Sequence, residues 1–522
     1  MNVRQFRWMF ATPVLLALLT TLASAQEALW QTHNSAGWKA LKVREFAEAQ
    51  KQFNLAIRQT EQFAPGDIRQ AISLTGLAAS YQAQGELPQA EALYEGALAI
   101  AEKAMGPEDD GVAAILDKLA AVCHAQRQYA KAEPLYKRAL AIREKQLDEK
   151  HPLIAINLNE LASHYADRAL YEQSLPLFQR AMKTFLETQG DAHPLTAAAF
   201  QNIALLHEKR GDLTEADEFF RAAFATWERA GGAEYPGTAI CLHGLARLHA
   251  SRGEHAKAVP LLEQALTIRQ ARLGEEHPLV AETLHALAQS QQLQEKLAEA
   301  ESLYQRSLGV YEKALGANHS QLAEVTHNYA TLLEKSERSD EARTVRERHA
   351  GAFYARAKER FVAGDGAAGD DAATFLDSRG WSHPDSLQAA LIGYFGYRFA
   401  GRDDEAEQML EKAASQADRN IWPYPVISHL KKELPAERLY SLARDDARMS
   451  LAQICFGLRL SQSGDHDGAL SHLRWVREHA EPQTVEYGMA TAEIDRIQLQ
   501  QQAPKPRKAA PDAVTSAKEA TR

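Results

Sequence analysis

Three histidines, His243, His285 and His327, stand 42 residues apart, and Cys241 lies two residues before the first of them. Imidazole and thiolate are zinc ligands, so metal binding is the first chemistry to weigh. The spacing argues against it. Equivalent helices in neighbouring units of a repeat stack approach no closer than roughly 8–10 Å, whereas one zinc holds its ligand nitrogens at about 2.0–2.1 Å. These histidines therefore cannot share an ion, and Cys241 and His243, two apart on a helix, point different ways. The sequence has no Gly-rich phosphate loop, no nucleophile elbow and no strand-framed pair of carboxylates. Catalysis has no motif to rest on, and the expectation is a protein that is not an enzyme and carries no metal or cofactor.

The elements that position these side chains follow from a longer pattern. Asp67, Asp109, His151, His193, Tyr235, His277 and His319 mark the same point of successive 42-residue blocks, and proline follows His151, His193 and His277. A fixed period of this size is the mark of a stacked repeat array, which grows without a central core. Within the block from His151, Leu158, Leu161, Ala162 and Tyr165 recur at helical spacing. Tyr171, Ser174, Phe178 and Ala181 repeat the pattern after a break, which predicts two amphipathic helices joined by a short turn. The His-Pro pairs have a structural reading. Proline suits the first helical turn, and the residue before it can cap the helix through a side-chain acceptor.

Large and small residues alternate at the same offsets in the other blocks, as in Leu77, Ala78, Tyr81, Gly85, Ala90, Tyr94 and Ala97. This resembles the tetratricopeptide repeat, usually about 34 residues long. The 42-residue form is similar to the kinesin light chain type. The phrase from Ala132 to Lys145, with His151-Pro152 shortly after, carries that resemblance. It implies an all-α fold, a right-handed α-solenoid of helix hairpins with about eight units over 26–350. The resemblance also implies a concave groove that binds peptide.

Repeat register places the residue two before the first packing leucine of each block on that concave side: Thr75, Asp117, Asn159, Gln201, His243, His285 and His327. In repeats of this type the position is commonly Asn and meets the backbone of an extended peptide. Asn159 matches by identity, Gln201 in kind, and the histidines depart from it. The expected peptide-binding face is Asn159, Gln201, Asn202, Lys209, His243, Arg247, His285, Gln289 and His327. Arg210-Gly211-Asp212 spells an adhesion tripeptide, but Gly211 matches the turn glycines Gly85 and Gly253. Asn318-His319-Ser320 has the form of a glycosylation acceptor and falls at a block junction.

The period fades near residue 350. The small, acidic run from Gly364 to Asp371 predicts a linker over 351–372. Repeat offsets return at Tyr397, Gly401, Ala406, Leu410 and Ala413, and again at Gly457, Leu460, Gly464, Ala469, Leu473 and Val476. A smaller helical region of the same kind is thus expected over 373–500. The stop at Trp422-Pro423, a short helix near Glu437 and a last unit ending at Trp475 resemble bacterial repeat proteins related to the lipoprotein NlpI. Units of that family serve as adaptors for envelope enzymes, although this chain lacks its lipid-attachment cysteine. Residues 501–522 are rich in Ala, Pro, Lys and Gln and are expected to be disordered.

Residues 1–25 read as a secretory signal: Arg4 and Arg7, an apolar stretch from Trp8 to Leu22, and Ala23-Ser24-Ala25 before Gln26. The expected location is periplasmic or secreted, with no stable membrane insertion after cleavage. A net charge of −10 argues against nucleic acid as a partner. Cys123, Cys241 and Cys455 are scattered and odd in number, which is no disulfide framework, and are expected to be buried thiols. Together these features point to a non-catalytic scaffold or adaptor of the bacterial envelope that binds proteins or peptides. A regulatory subunit of an envelope hydrolase or protease is the alternative.

Overall fold

The computed structural model describes residues 25–232 and 235–502, and they form helices joined by short connections. The expected signal peptide and tail lie outside the described residues, apart from Ala25, Gln501 and Gln502, which are helical. The chain divides into two compact units, Met1–Gly316 and Ala317–Arg522.

Unit 1 is a row of helix pairs. It begins with α1 (25–42) and α2 (Phe46–Thr60). The following pairs are α3 (Ile68–Ala83) with α4 (Leu87–Met105), α5 (Asp110–Ala125) with α6 (Tyr129–Gln146), and α7 (Pro152–Asp167) with α8 (Tyr171–Gln189). Next come α9 (Pro194–Arg210) with α10 (Leu213–Gly231), α11 (Pro236–Ser251) with α12 (His255–Leu273), and α13 (Pro278–Gln292) with α14 (Leu297–Leu315). The odd-numbered member of each pair is called the A helix here and the even-numbered one the B helix.

Five of the A helices, α3, α5, α7, α9 and α13, start as the sequence predicts. Asp67 and Asp109 accept from the N–H two residues on, at 2.9 and 2.8 Å. His151, His193 and His277 do the same through Nδ1, at 3.2, 3.2 and 3.1 Å. Each ring nitrogen thereby satisfies one of the first, otherwise orphaned, amides of its helix. Tyr235 makes no side-chain cap bond and instead stacks on Trp227, with ring centroids 5.0 Å apart. His193→Ala is therefore expected to cost about 1 kcal/mol, the ordinary value of an N-cap. Urea unfolding followed by hydrogen exchange in α9 measures it, and an unchanged protection there would refute the capping role.

The A-to-B turn needs one residue with positive φ, and it recurs with the same period. Gly85, Gly211 and Gly253 hold it at φ 80, 91 and 75°, while Arg127, Ala169 and Glu295 accept it at 59, 56 and 62°. Gly211 of the adhesion-like tripeptide is this turn residue, and Arg210 and Asp212 on either side of it are joined by an ion pair. Each B helix then drives a large ring or aliphatic group between two A helices. Tyr94, Phe220 and Tyr304 are fully buried, each framed by buried alanines.

Unit 2 starts with α15 (Gln321–Lys335), α16 (Ser339–Arg348), α17 (Ala350–Ala363) and α18 (Ala368–Arg379). It continues with α19 (Ser386–Phe399), α20 (Asp403–Gln416), α21 (Tyr424–Leu430) and α22 (Ala436–Leu442). It ends with α23 (Asp446–Gln462), α24 (His466–His479) and α25 (Val485–Gln502). The linker expected over 351–372 is not one, because α17 and the start of α18 occupy it. Gly364 (φ 70°) is the turn between them. Asp371, the last residue of the run expected to be a linker, is buried and receives Arg356 and Arg360 at 2.5–2.8 Å. The acidic composition of the run hides the fact that the Asp371 carboxylate faces inward to two guanidinium groups. His383-Pro384 is an out-of-period copy of the repeat cap, with His383 Nδ1 accepting from Asp385 N at 3.2 Å.

Candidate functional site

The column of residues predicted to line the concave side turns out to be a seam as much as a face. Asp117, Asn159, Gln201, His243 and His285 sit on successive A helices. Asp117 and Gln201 are each set against the B-helix residue 26 positions later and the next A-helix residue 14 beyond that. Where the B-helix residue is arginine, it closes over the column. Arg143 donates Nη1 to Asp117 Oδ2 at 2.8 Å and Nε to Asp110 at 2.8 Å, and it also reaches Asn157, which in turn donates to Asp117. Burial pushes the Asp117 carboxyl up to about 6 against the pull of Arg143, so the pair is still ionised at neutral pH.

Three blocks further on, Arg269 takes the place of Arg143. It donates to Leu279 O, Glu282 and Thr283 at 2.8, 3.1 and 2.7 Å. His243 lies beneath it, 4% exposed, with Nδ1 unpaired among the described residues. Burial and the charges of Arg269 and Arg247 hold its imidazole down to about 3. His285 is 9% exposed and packs on the Tyr304 ring. Neither histidine is an open face residue, and the expectation that they line a groove is corrected: the neighbouring B helix covers them. His327 is exposed but belongs to unit 2. There it borders an open cleft of about 360 Å³ with Arg343, Arg346, Thr374 and Asp377.

The remaining predicted residues are reachable and partly spoken for. Asn202 Nδ2 donates to Asn159 Oδ1 at 2.9 Å, joining α9 to α7. Lys209 Nζ meets Asp167 at 2.6 Å, and Arg247 grips both carboxylate oxygens of Glu208. Half-buried Gln201 accepts from Trp227 Nε1 at 3.3 Å, and Gln289 is half-buried on α13. The sequence reading missed Asp167 and Glu208. A signal for the first was available, because Asp167 lies one period before Lys209, at the equivalent point of the adjacent block, with the opposite charge.

The tetratricopeptide repeat profile matches residues 69–145, 153–225, 202–271, 251–313 and 279–349, more than half of the chain. The chain belongs to the tetratricopeptide repeat family. Solved structures similar to it include a kinesin light chain from Podosopora anserina with nearly identical repeats. That protein is 27% identical over 38% of this chain and 95% of its own, at a TM-score of 0.35. BtubC (BKLC) of P. vanneervenii is 20% identical over 48% of this chain and 93% of its own, at 0.36. The apo quorum sensor NprR of B. thuringiensis is 11% identical over 65% and 92%, at 0.47. No curated protein matches the chain.

The tetratricopeptide repeat fold is suited to protein–protein interaction. Burial pushes the thiols of Cys123 and Cys241 up to about 12, which keeps them protonated and poor nucleophiles. Among the described residues, no three His, Cys, Asp or Glu are grouped to hold a metal. No described helix is long and apolar enough to cross a membrane.

Proposed function

We propose that this tetratricopeptide repeat chain is a non-catalytic scaffold that holds an extended peptide along the A helices of unit 1, centred on α7 and α9. The bonded carboxamides of Asn159 and Asn202 support this most. Asn202 spends one N–H and Asn159 its carbonyl on the other, which leaves the Asn159 amino group and the Asn202 carbonyl side by side. An extended backbone offers the complementary acceptor and donor. Exchanging O and N in both side chains would leave the same complement, so the reading does not depend on that assignment. Gln289 and Arg247 extend the polar strip towards α11 and α13.

The protein is further proposed to act in the bacterial envelope, after export and cleavage behind Ala25. The n-region, apolar stretch and small-residue site of the first 25 residues support that location. N-terminal sequencing of the exported protein should begin at Gln26, and an intact Met1 would refute it.

Selection of binding sequences from a random peptide library tests the groove. A selected peptide should bind the Asn159→Ala/Asn202→Ala variant at least about tenfold more weakly, or about 1.4 kcal/mol, in fluorescence anisotropy. The variant should unfold at the wild-type temperature. Unchanged affinity, or a library that yields no binder, would overturn the proposal.

A further inference from the structure

We infer that the trough formed by α17, α19 and α23 is a second binding surface of this chain, one that takes a helix. Its occupant in the structure is the chain's own α25, and a partner helix with the same pattern of side chains displaces it. Contacts place α25 in the trough along its length. Near its start, Val485 and Glu486 close a pocket with Phe361 of α17, Leu391 of α19 and Ile454 of α23. A Cβ on Gly488 would lie 3.4 Å from both Cγ atoms of Val362 on α17. Glu493 Oε1 accepts from Ser461 Oγ of α23 at 2.5 Å. Further on, Arg496 Nη2 donates to Ala363 O, at the end of α17, at 3.5 Å.

A helix that merely capped the last hairpin would cover α23 and α24 and turn a polar face to water. α24 shows such a face, with Asp467, Ser471, Arg474 and Arg477 exposed. α25 does not. Every residue from Thr484 to Gln498 is buried or half-buried, and the contacts reach back past the last hairpin to α19 and α17.

The resident helix shows what the trough selects. Glu486, Met489, Ala490, Glu493, Ile494 and Ile497 stand at i, i+3, i+4, i+7, i+8 and i+11, one face of a helix. The four apolar ones are at most 1% exposed and Glu493 is 5% exposed. This is the spacing with which an amphipathic helix fills a groove. The two carboxylates meet donors on the walls. Tyr354 Oη donates to Gln388 Oε1 at 2.8 Å, and Gln388 Nε2 donates to Glu486 Oε1 at 3.2 Å. A carboxylate only accepts, so the Gln388 amide turns its N–H to α25 and its carbonyl to the Tyr354 hydroxyl. Ser461 likewise gives its O–H to Glu493. The walls thus present donors about two helical turns apart. The partner is accordingly an amphipathic helix with carboxylates seven residues apart and compact apolar side chains between and after them.

Two features make the resident helix replaceable. α25 is joined to the hairpin before it only through 480–484, so it can leave without another helix unfolding. Its seat is also partly polar. Glu493 and Arg496 pair with each other inside it, and Thr491 Oγ1 is buried with no partner among the described residues. Dehydrating such groups offsets part of the gain from the apolar side chains. The short link adds an effective concentration on the order of millimolar, which keeps the trough filled until a partner helix outcompetes α25. The inference does not depend on what unit 1 binds.

A fluorescein-labelled synthetic peptide of residues 484–502 is the probe. The full chain carrying Met489→Ala/Ile494→Ala has a loosened resident helix. It should bind the peptide at least about tenfold more tightly than the wild-type chain does, because its trough is open more of the time. The peptide with Glu486→Lys/Glu493→Lys should bind that variant at least about tenfold more weakly. In the wild-type chain, hydrogen exchange should show α25 opening while α17, α19 and α23 stay protected. Exchange of α25 only together with those helices, no capture of the peptide by the loosened chain, or equal binding of the charge-reversed peptide would overturn the proposal. So would a loosened chain that dimerises and takes no peptide, which would make a second copy the occupant. Should the loosened chain fail to fold, the exchange pattern of the wild-type chain and its capture of the peptide at about millimolar concentration still decide.

Discussion

Arg143→Ala lowers the stability of unit 1 by about 3–5 kcal/mol, the scale on which a buried ion pair loses one partner. The loss exceeds the worth of the pair itself, because Asp117 and Asn157 stay behind. Asp117 is 7% exposed, and without Arg143 its carboxylate keeps only the Asn157 amide as a donor among its present partners. In a repeat array the damage falls on the affected interface. Hydrogen exchange should accordingly show α5 to α7 losing protection well before α13 and α14. The fold itself suggests a repair. In the blocks between the two arginines the same column position is filled by Phe185 and Trp227. Trp227 closes over Gln201 and Cys241 as Arg143 closes over Asp117 and Asn157. Asp117→Gln/Arg143→Trp/Asn157→Cys, which copies that block, should recover most of the loss. A loss below about 1 kcal/mol in Arg143→Ala, or a triple variant no better than the single one, would contradict this account.

The same column explains how much was legible beforehand. The period, the caps and the A-to-B turns could be read because each is local: a cap is made with the N–H two residues away, and a turn needs one positive φ. Orientation towards an open groove could not be read from one block. Whether His243 or Asn159 is reachable depends on the residue 26 positions later on another helix, Arg269 in one case and Phe185 in the other. The long arginine covers its column position, whereas Asn159, with phenylalanine at the equivalent B-helix position, stays half-buried. The failure over 351–372 has the same origin. Glycine and aspartate suggest a linker by composition, and only the two arginines of α17 show that Asp371 belongs inside.

Gly244→Ala tests whether the block-to-block variation is compensated in pairs. A methyl group on Gly244 would sit 2.5 Å from Phe220 Cζ and 2.6 Å from Cε1, inside the contact distance of real atoms. Phe220 is fully buried among Ala204, Ala216 and Ala223 and has no free space to turn into. Overpacking of this kind costs about 1–3 kcal/mol, whereas alanine in mid-helix returns up to about 1 kcal/mol over glycine. The steric cost wins, and the variant should lose about 1–2 kcal/mol in urea unfolding. The next block places Leu262 and Ala286 where this one has Phe220 and Gly244. Phe220→Leu alone opens a gap beside Gly244, but with Gly244→Ala it reproduces an arrangement the fold already uses. The double variant should therefore be more stable than the sum of the two single changes predicts, with a coupling of about 0.5–3 kcal/mol. A stable Gly244→Ala would mean that the ring moves freely. Strict additivity would mean that ring and glycine do not share one space, and the close approach between α10 and α11 would then need another cause.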